Sequence, residues 1–496
     1  MFKRIFKTAV VLSFGLSVFA GSQKPPNVIV ILADDMGRDS VSAFNASLGF
    51  ETPRIDALAK QGLVFSDGHS GSAVCTPTRY GLLTGRYSWR SRLKRGIVPK
   101  WDAPLIEDGR MTMASMLKAK GYHTACIGKW HLGLNWPFSS TDKVPVGNAK
   151  ALAKLAAAGI DWTAPVPGPR LAGFDYYFGD DVINWPPFVY IENEKVLGTP
   201  DAKFRTPGGE WAENKVLPTI TSKAVEYIEK QAASKKPFFL YFPMTAPHAP
   251  IAPAVDFAGK SGLTKYVDFV IETDRRVGQI LDAVDRAGIA ANTLIVFTAD
   301  NGTSLKHSNA DDVEAKGIDF EVNVRGGKSD IWEGGHKVPF IVRWPGKIKG
   351  GAINTTPICT TDIMATVAEL VGVELPDDAA EDSVSFRPAL QGEPLERGPI
   401  INHSIQGRFA IRDGKWKLAF CPGSGGWSLR DELALKKGLP ELQLYNLAAD
   451  PLEQNNLIAS HPEQAAQLTD ELREIINNGR STPGKPQRNT GETWVP

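Results

Sequence analysis

The chain has 496 residues, 42% of them hydrophobic and 22% charged, so it is an ordinary globular chain able to bury a large core and form two domains. Its net charge of +1 excludes a polyanion-binding surface of the nucleic-acid kind, so an anionic substrate has to meet a local pocket. Four cysteines, Cys75, Cys126, Cys359 and Cys421, exclude a disulfide framework at this size.

The first residues read as an export signal. Lys3, Arg4 and Lys7 form a basic start, residues 8–19 are an apolar run, and Val18-Phe19-Ala20 offers small residues at the two positions read for cleavage. Cleavage after Ala20 is expected. No cysteine follows to carry a lipid, and no second spanning stretch follows, so an exported protein, periplasmic or secreted, without a stable membrane anchor is expected.

Strand-like and helix-like patterns then alternate. Residues 27–33 are a near-continuous β-branched run, as in a strand buried on both faces. Helices are expected at 53–60, at 112–120 with Thr112 as cap, at 218–232, at 266–287 and at 362–371. Strands are expected at 122–127, 238–242 and 293–298. This alternation predicts an α/β fold, a large mostly parallel sheet between two layers of helices. Between about residues 134 and 213 the regularity fails, and Trp136, Trp162, Trp185 and Trp211 fall in an irregular insertion of the kind that forms a lid or wall. Residues 376–382 read as a linker. Beyond them, 383–496 read as a smaller C-terminal subdomain on a short antiparallel sheet, with a last helix at 462–477. The catalytic part is thus placed at 21–375.

The most informative segment is Cys75-Thr76-Pro77-Thr78-Arg79, followed by Leu82-Leu83-Thr84-Gly85-Arg86. Pro77 suits the first turn of a helix, where its missing N–H costs nothing. Cys75 then lies at the N-terminus, where free N–H groups and the dipole favour an anion. Arg79, one turn on, faces back toward position 75.

Four strand ends carry further polar groups. The first strand ends in Asp34-Asp35 and the strand at 293 in Asp300-Asn301-Gly302. Three carboxylates and an amide oxygen are hard ligands, suited to Ca2+ or Mg2+ rather than Zn2+. The strand through Cys126 runs into Gly128-Lys129-Trp130-His131, and the strand through Phe239 into Ala246-Pro247-His248. Lys328 lies in a glycine-rich loop, Arg325-Gly326-Gly327-Lys328. In open α/β sheets, ligands bind beyond the carboxyl ends of strands.

These five segments, in this order, resemble the type I sulfatases of the alkaline phosphatase superfamily, bacterial arylsulfatase-like carbohydrate sulfatases among them. The ending Leu442-Gln443-Leu444-Tyr445-Asn446-Leu447 and Asp450-Pro451-Leu452-Glu453 extends the likeness. The resemblance implies that Cys75 is converted to formylglycine by a maturation enzyme. It implies one calcium ion on Asp34, Asp35, Asp300, Asn301 and residue 75. It gives sulfate binding or proton transfer to Arg79, Lys129, His131, His248 and Lys328. The implied reaction is attack on sulfur by the hydrated aldehyde, with His248 as first choice to protonate the leaving alcohol and Lys328 next. A sulfated saccharide is the expected substrate, because aromatic faces in the insertion can stack on sugar rings. Two other readings are a formylglycine-dependent phosphate or phosphonate ester hydrolase and a non-catalytic, calcium-dependent glycan-binding protein.

Overall fold

In a computed structural model, residues 24–138, 159–201, 211–494 and 496 are described. The expected signal segment lies outside them, as does part of the insertion.

The main sheet has ten strands, and its centre is the part that positions the site. Asn27–Ala33 pairs in parallel with Thr293–Ala299 on one side and Phe238–Pro243 on the other, and Phe238–Pro243 pairs in parallel with His123–Ile127. Four adjacent strands therefore end at the same edge. Their apolar runs are continuous because both faces are covered. Val28, Val30 and Leu32 pack on the side of the helices Cys75–Thr84, Met113–Ala119 and Asp362–Leu370. Ile29, Ile31 and Ala33 face the helices Pro53–Gln61, Glu213–Ala232 and Lys265–Arg286. Antiparallel pairing of Phe340–Arg343 with Thr293–Ala299 makes the sheet mixed. The cap expected at Thr112 is present, reinforced by Ser115 in a reciprocal capping box.

The irregular reading of the insertion needs correction. Its described part adds three strands to the main sheet: Tyr176–Gly179, parallel to His123–Ile127, then Ile191–Glu192 and Lys195–Val196. These are four, two and two residues long, too short to show a period in the sequence. The helix expected from 218 starts at Glu213 and carries Pro218 inside its second turn.

The C-terminal part is a four-stranded antiparallel sheet, Ile400–His403, Phe409–Asp413, Trp416–Ala419 and Gln443–Asn446, backed by the helix Pro462–Asn477. Its core also takes in Tyr87, Trp89 and Cys359 from the larger part. The 376–382 segment is clamped rather than loose: Asp382 receives Arg90 through Nε at 2.8 Å and Nη2 at 2.9 Å, and both are buried. All four cysteines are free and buried. Among the described residues no helix is long and apolar enough to cross a membrane.

Candidate active site

Cys75 opens the helix Cys75–Thr84, whose ten residues are all buried. Val74 before it is extended and supplies no side-chain cap, so the helix start keeps N–H groups for a ligand. Gly85 ends the helix in the left-handed conformation, with its N–H on the Gly81 carbonyl.

The strand ends bring their polar groups to this helix start. Cys75 Sγ lies 3.7 Å from Asp34 Oδ1 and 3.6 Å from Lys328 Nζ. Lys129 Nζ donates to Asp34 Oδ2 at 2.7 Å. Lys328 Nζ donates to both oxygens of Asp35, at 2.6 and 2.7 Å. Arg79 donates to Asp300 Oδ2 from Nε at 3.1 Å and from Nη2 at 2.7 Å, and to the Lys129 carbonyl at 3.1 Å. Asn301 donates to Asp35 Oδ1, and the Asp35 N–H donates to Asp300 Oδ1. His248 Nε2 stands 3.7 Å from Asp35 Oδ2.

Local backbone geometry holds these groups at a cost. Asp35, His131 and Ser329 have φ of 63°, 52° and 87°, left-handed values at non-glycine residues. Such residues cost roughly 1–3 kcal/mol each and persist where the surroundings enforce them. Gly128 turns the chain at φ 131°, and a Cβ there would lie 2.0 Å from the Pro243 carbonyl oxygen. That close approach lets Lys129 N–H donate to the same oxygen at 2.8 Å.

The electrostatics follow from six buried charges, three carboxylates (Asp34, Asp35, Asp300) against three cations (Arg79, Lys129, Lys328). Burial raises the Asp34 carboxyl, yet Lys129, His248, Arg79 and Lys328 together hold it well below the usual range. Asp35 is lowered in the same way, with Lys328 the strongest of its cations. Burial and the neighbouring Asp34 push Asp300 up to about 6 against Arg79 and Lys129. Burial pushes the Cys75 thiol up to about 12, more than Lys129 and Lys328 can lower it. An unmodified Cys75 is therefore a protonated thiol at neutral pH, not a thiolate nucleophile. Burial and Lys328 hold His248 down at about 4, and burial with Lys129 holds His131 well below its ordinary value.

Asp34, Asp35, Cys75 and His248 place ligand atoms within 4.8 Å of one another. Asp300 lies outside that group, its carboxylate drawn to Arg79. The set fits a hard divalent cation on two counts. Asn301 Oδ1 is buried and accepts no hydrogen bond. Three buried cations only balance three buried carboxylates, so a divalent ion gives the pocket the net positive charge that an anionic ester needs.

Sequence reasoning missed one cluster. Asp180 and Asp181 follow the strand Tyr176–Gly179, as Asp34 and Asp35 follow theirs. Lys100 Nζ, buried, donates to Asp180 and to the carbonyls of Val182, Trp185 and Pro187. Asp181 Oδ1 accepts the N–H of His131 at 2.9 Å and so fixes that left-handed residue. Trp185 presents its ring to His131, centroids 6.3 Å apart and planes at 88°. The Asp180-Asp181 pair was the available signal, hidden because the strand before it went unrecognised.

Comparison with known proteins identifies the family. The family model described as Sulfatase matches residues 26–373. An N-acetylgalactosamine-6-O-sulfatase of Bacteroides thetaiotaomicron is 33% identical, over 92% of this chain and 93% of the relative. The dog N-acetylgalactosamine-6-sulfatase is 28% identical, over 96% and 91%. A solved sulfatase structure from work on glycosaminoglycan metabolism by B. thetaiotaomicron superposes with a TM-score of 0.79 at 30% identity, covering 91% of this chain and 99% of that one. The chain belongs to the sulfatase family and is a sulfatase.

Proposed function

We infer that the protein is an exported carbohydrate sulfatase that removes a 6-O-sulfate from an N-acetylgalactosamine residue. On this reading residue 75 is converted to formylglycine and one calcium ion binds. The convergence of Cys75, Arg79, Lys129, His131, His248 and Lys328 with the carboxylates of Asp34, Asp35 and Asp300 at one sheet edge carries the chemistry. The sugar and the sulfate position rest on the likeness to N-acetylgalactosamine-6-sulfatases.

Asp34, Asp35, Asp300, Asn301 and residue 75 are the groups that would hold Ca2+. Bound there, it supplies Lewis-acid activation and positive charge beside the sulfuryl oxygens. The formylglycine supplies an oxygen nucleophile that a buried thiol cannot. The remaining work falls to the chain itself. Arg79 and Lys129, fixed by Asp300 and Asp34, are placed to hold sulfuryl oxygens as charge redistributes. Lys328 lies 3.6 Å from Sγ, and Asp35 raises its pKa, so it carries a proton at neutral pH. His248 is held neutral. His248, the first choice from the sequence, and Lys328 are the two candidate donors to the leaving alcohol. His131, also neutral, is a candidate base for the second half of the reaction.

The test is a panel of 6-sulfated N-acetylgalactosamine, its 4-sulfated isomer and nitrophenyl sulfate, assayed on matured protein before and after calcium chelation. The 6-sulfate should be cleaved fastest, and chelation should abolish turnover with recovery on added Ca2+. Preference for the 4-sulfate overturns the substrate assignment. Turnover indifferent to chelation overturns the metal assignment.

A further inference from the structure

His69 and His336 are buried, and neither takes part in the proposed reaction. Their Nδ1 atoms face each other at 3.1 Å. His336 ends the short helix Glu333–His336, which follows the Lys328 loop. The backbone of that helix rests on the active site. The Gly302 N–H, next to Asn301, donates to the Gly335 carbonyl at 2.9 Å, and the Ser329 N–H donates at 2.8 Å to the carbonyl of Ala73, two residues before Cys75. A Cβ on Gly302 would collide with the Gly334 carbonyl, so the fit leaves no slack. The side chains of Glu333 and His336 meet Lys417 on the C-terminal sheet instead, at 3.0 and 3.3 Å.

The surroundings of the pair suit two neutral imidazoles. Facing Nδ1 atoms need one N–H and one lone pair, so one of the two outer Nε2 atoms carries a hydrogen and the other does not. Both arrangements are satisfied. With the hydrogen on His69 Nε2, Asp67 Oδ1 accepts it at 3.0 Å and His336 Nε2 accepts from Lys417 at 3.3 Å. With the hydrogen on His336 Nε2, the Ile331 carbonyl accepts it at 3.2 Å and His69 Nε2 accepts from Arg412 Nη1 at 2.9 Å. One further proton puts a hydrogen on both Nε2 atoms. Lys417 and Arg412, which only donate, then face N–H groups. The charges agree: Asp67, Glu333 and Glu453 stand against Lys337, Arg412 and Lys417, three to three, so an imidazolium adds an unbalanced buried charge. Burial holds His69 below the ordinary imidazole value, and burial with Lys417 holds His336 well below it. An open cavity of about 330 Å³, lined by Asp67, Glu333, Lys337 and Arg412, gives water and protons access to the cluster.

We propose that His69 and His336 form a proton-sensitive positioning pair for Lys328. Neutral, the pair lets Arg412 and Lys417 of the C-terminal sheet close on Glu333 and hold the stretch 325–336 against the start of the Cys75 helix. One proton taken up from acid solvent drives those cations off. The stretch then loosens, and turnover falls with the active-site groups themselves unchanged. This rests on the proposed reaction only for the part that Lys328 plays in it.

The test measures kcat for nitrophenyl sulfate across acid and neutral pH on matured enzyme, unaltered and carrying His69→Gln or His336→Gln. Glutamine offers a donor and an acceptor and does not titrate. In the unaltered enzyme kcat should fall as pH drops below 6.5, the ordinary imidazole value. In both variants that fall should begin roughly one pH unit lower, which leaves kcat about tenfold higher on the acid side, while kcat at about pH 8 stays within roughly twofold of the unaltered value. An acid limb that does not move, or a loss of the same size at every pH, overturns the proposal. Hydrogen exchange over 325–336 reads the pair without turnover. Protection of these amides, corrected for the intrinsic pH dependence of exchange, should drop several-fold from about pH 8 to about pH 5 in the unaltered chain and hold in the variants. Equal protection at both pH values in the unaltered chain overturns the proposal, even where neither variant folds. Matured, unaltered enzyme inert on every sulfate ester at every pH overturns the functional reading instead, and the exchange measurement still decides the pair.

Discussion

At residue 300 two jobs meet. On the proposed reading Asp300 helps to hold the metal, and in the structure it is the counter-ion of the buried Arg79. Asp300→Asn leaves Arg79 buried against a neutral acceptor, so both catalysis and folding suffer. Expected are a fall in kcat of roughly a hundredfold or more and a stability loss of about 3 kcal/mol. Steady-state kinetics and urea unfolding check this, and an unchanged kcat contradicts it. Asp181 presents the opposite case. Burial, helped by the Asp180 charge, raises its carboxyl from 3.8 to about 7 despite Lys100. A carboxyl raised in the fold contributes stability that is full below its unfolded pKa and is lost as pH climbs through the folded one. Asp181→Asn keeps an acceptor for the His131 N–H and removes that loss. Its melting temperature should exceed that of the unaltered chain at about pH 8 and not at about pH 4. A deficit that is the same at both pH values contradicts the assignment. These two aspartates also show what a sequence conveys at this scale. The ligand-type residues stood out because they follow strands that announce themselves. The pairing of Asp300 with Arg79, and of Asp180 with Lys100 some 80 positions away, exists only once the chain has folded.

At the scale of elements, the central strands and long helices were legible because their patterns repeat over enough residues. Asn27–Ala33 is apolar throughout since helices cover both faces. Lys265–Arg286 carries 22 residues of helical period between Thr264, whose hydroxyl caps it, and Gly288 in the left-handed conformation just past its end. The insertion was not legible, because its strands are defined by what they pair with and not by their own period. That same insertion carries Trp185, half-buried beside His131 in the segment Trp185-Pro186-Pro187, whose carbonyls at 185 and 187 hold Lys100. Trp185→Ala should lower kcat/KM on a sulfated saccharide several-fold, about 1 kcal/mol, and leave a small aryl sulfate nearly unaffected. Equal loss on both substrates would make Trp185 a packing residue that supports His131.

For the whole molecule, the C-terminal sheet braces the loop that carries Lys328. The buried Lys417, on the C-terminal sheet, pairs with Glu333 at 3.0 Å and Glu453 at 2.8 Å. Glu453 accepts the N–H of Glu333, and its carbonyl accepts from Arg325. Both ends of the Arg325–Glu333 stretch that carries Lys328 are thereby fixed from the C-terminal side. The 376–382 segment, read as a linker, precedes a change of sheet, but the ion pairs that clamp it, such as Arg90 with Asp382, leave no trace in local sequence. Everything in the account turns on residue 75 as an oxidised nucleophile. The direct measurement is turnover of 6-sulfated N-acetylgalactosamine against the formylglycine fraction, read from the mass of the peptide holding residue 75, which conversion lowers by about 18 Da (a change off the ordinary thiol oxidation ladder). Rate should rise in proportion to that fraction across preparations matured to different extents, and Cys75→Ala should give none. Full turnover by Cys75→Ala, or by protein carrying only the unconverted cysteine, would contradict the account.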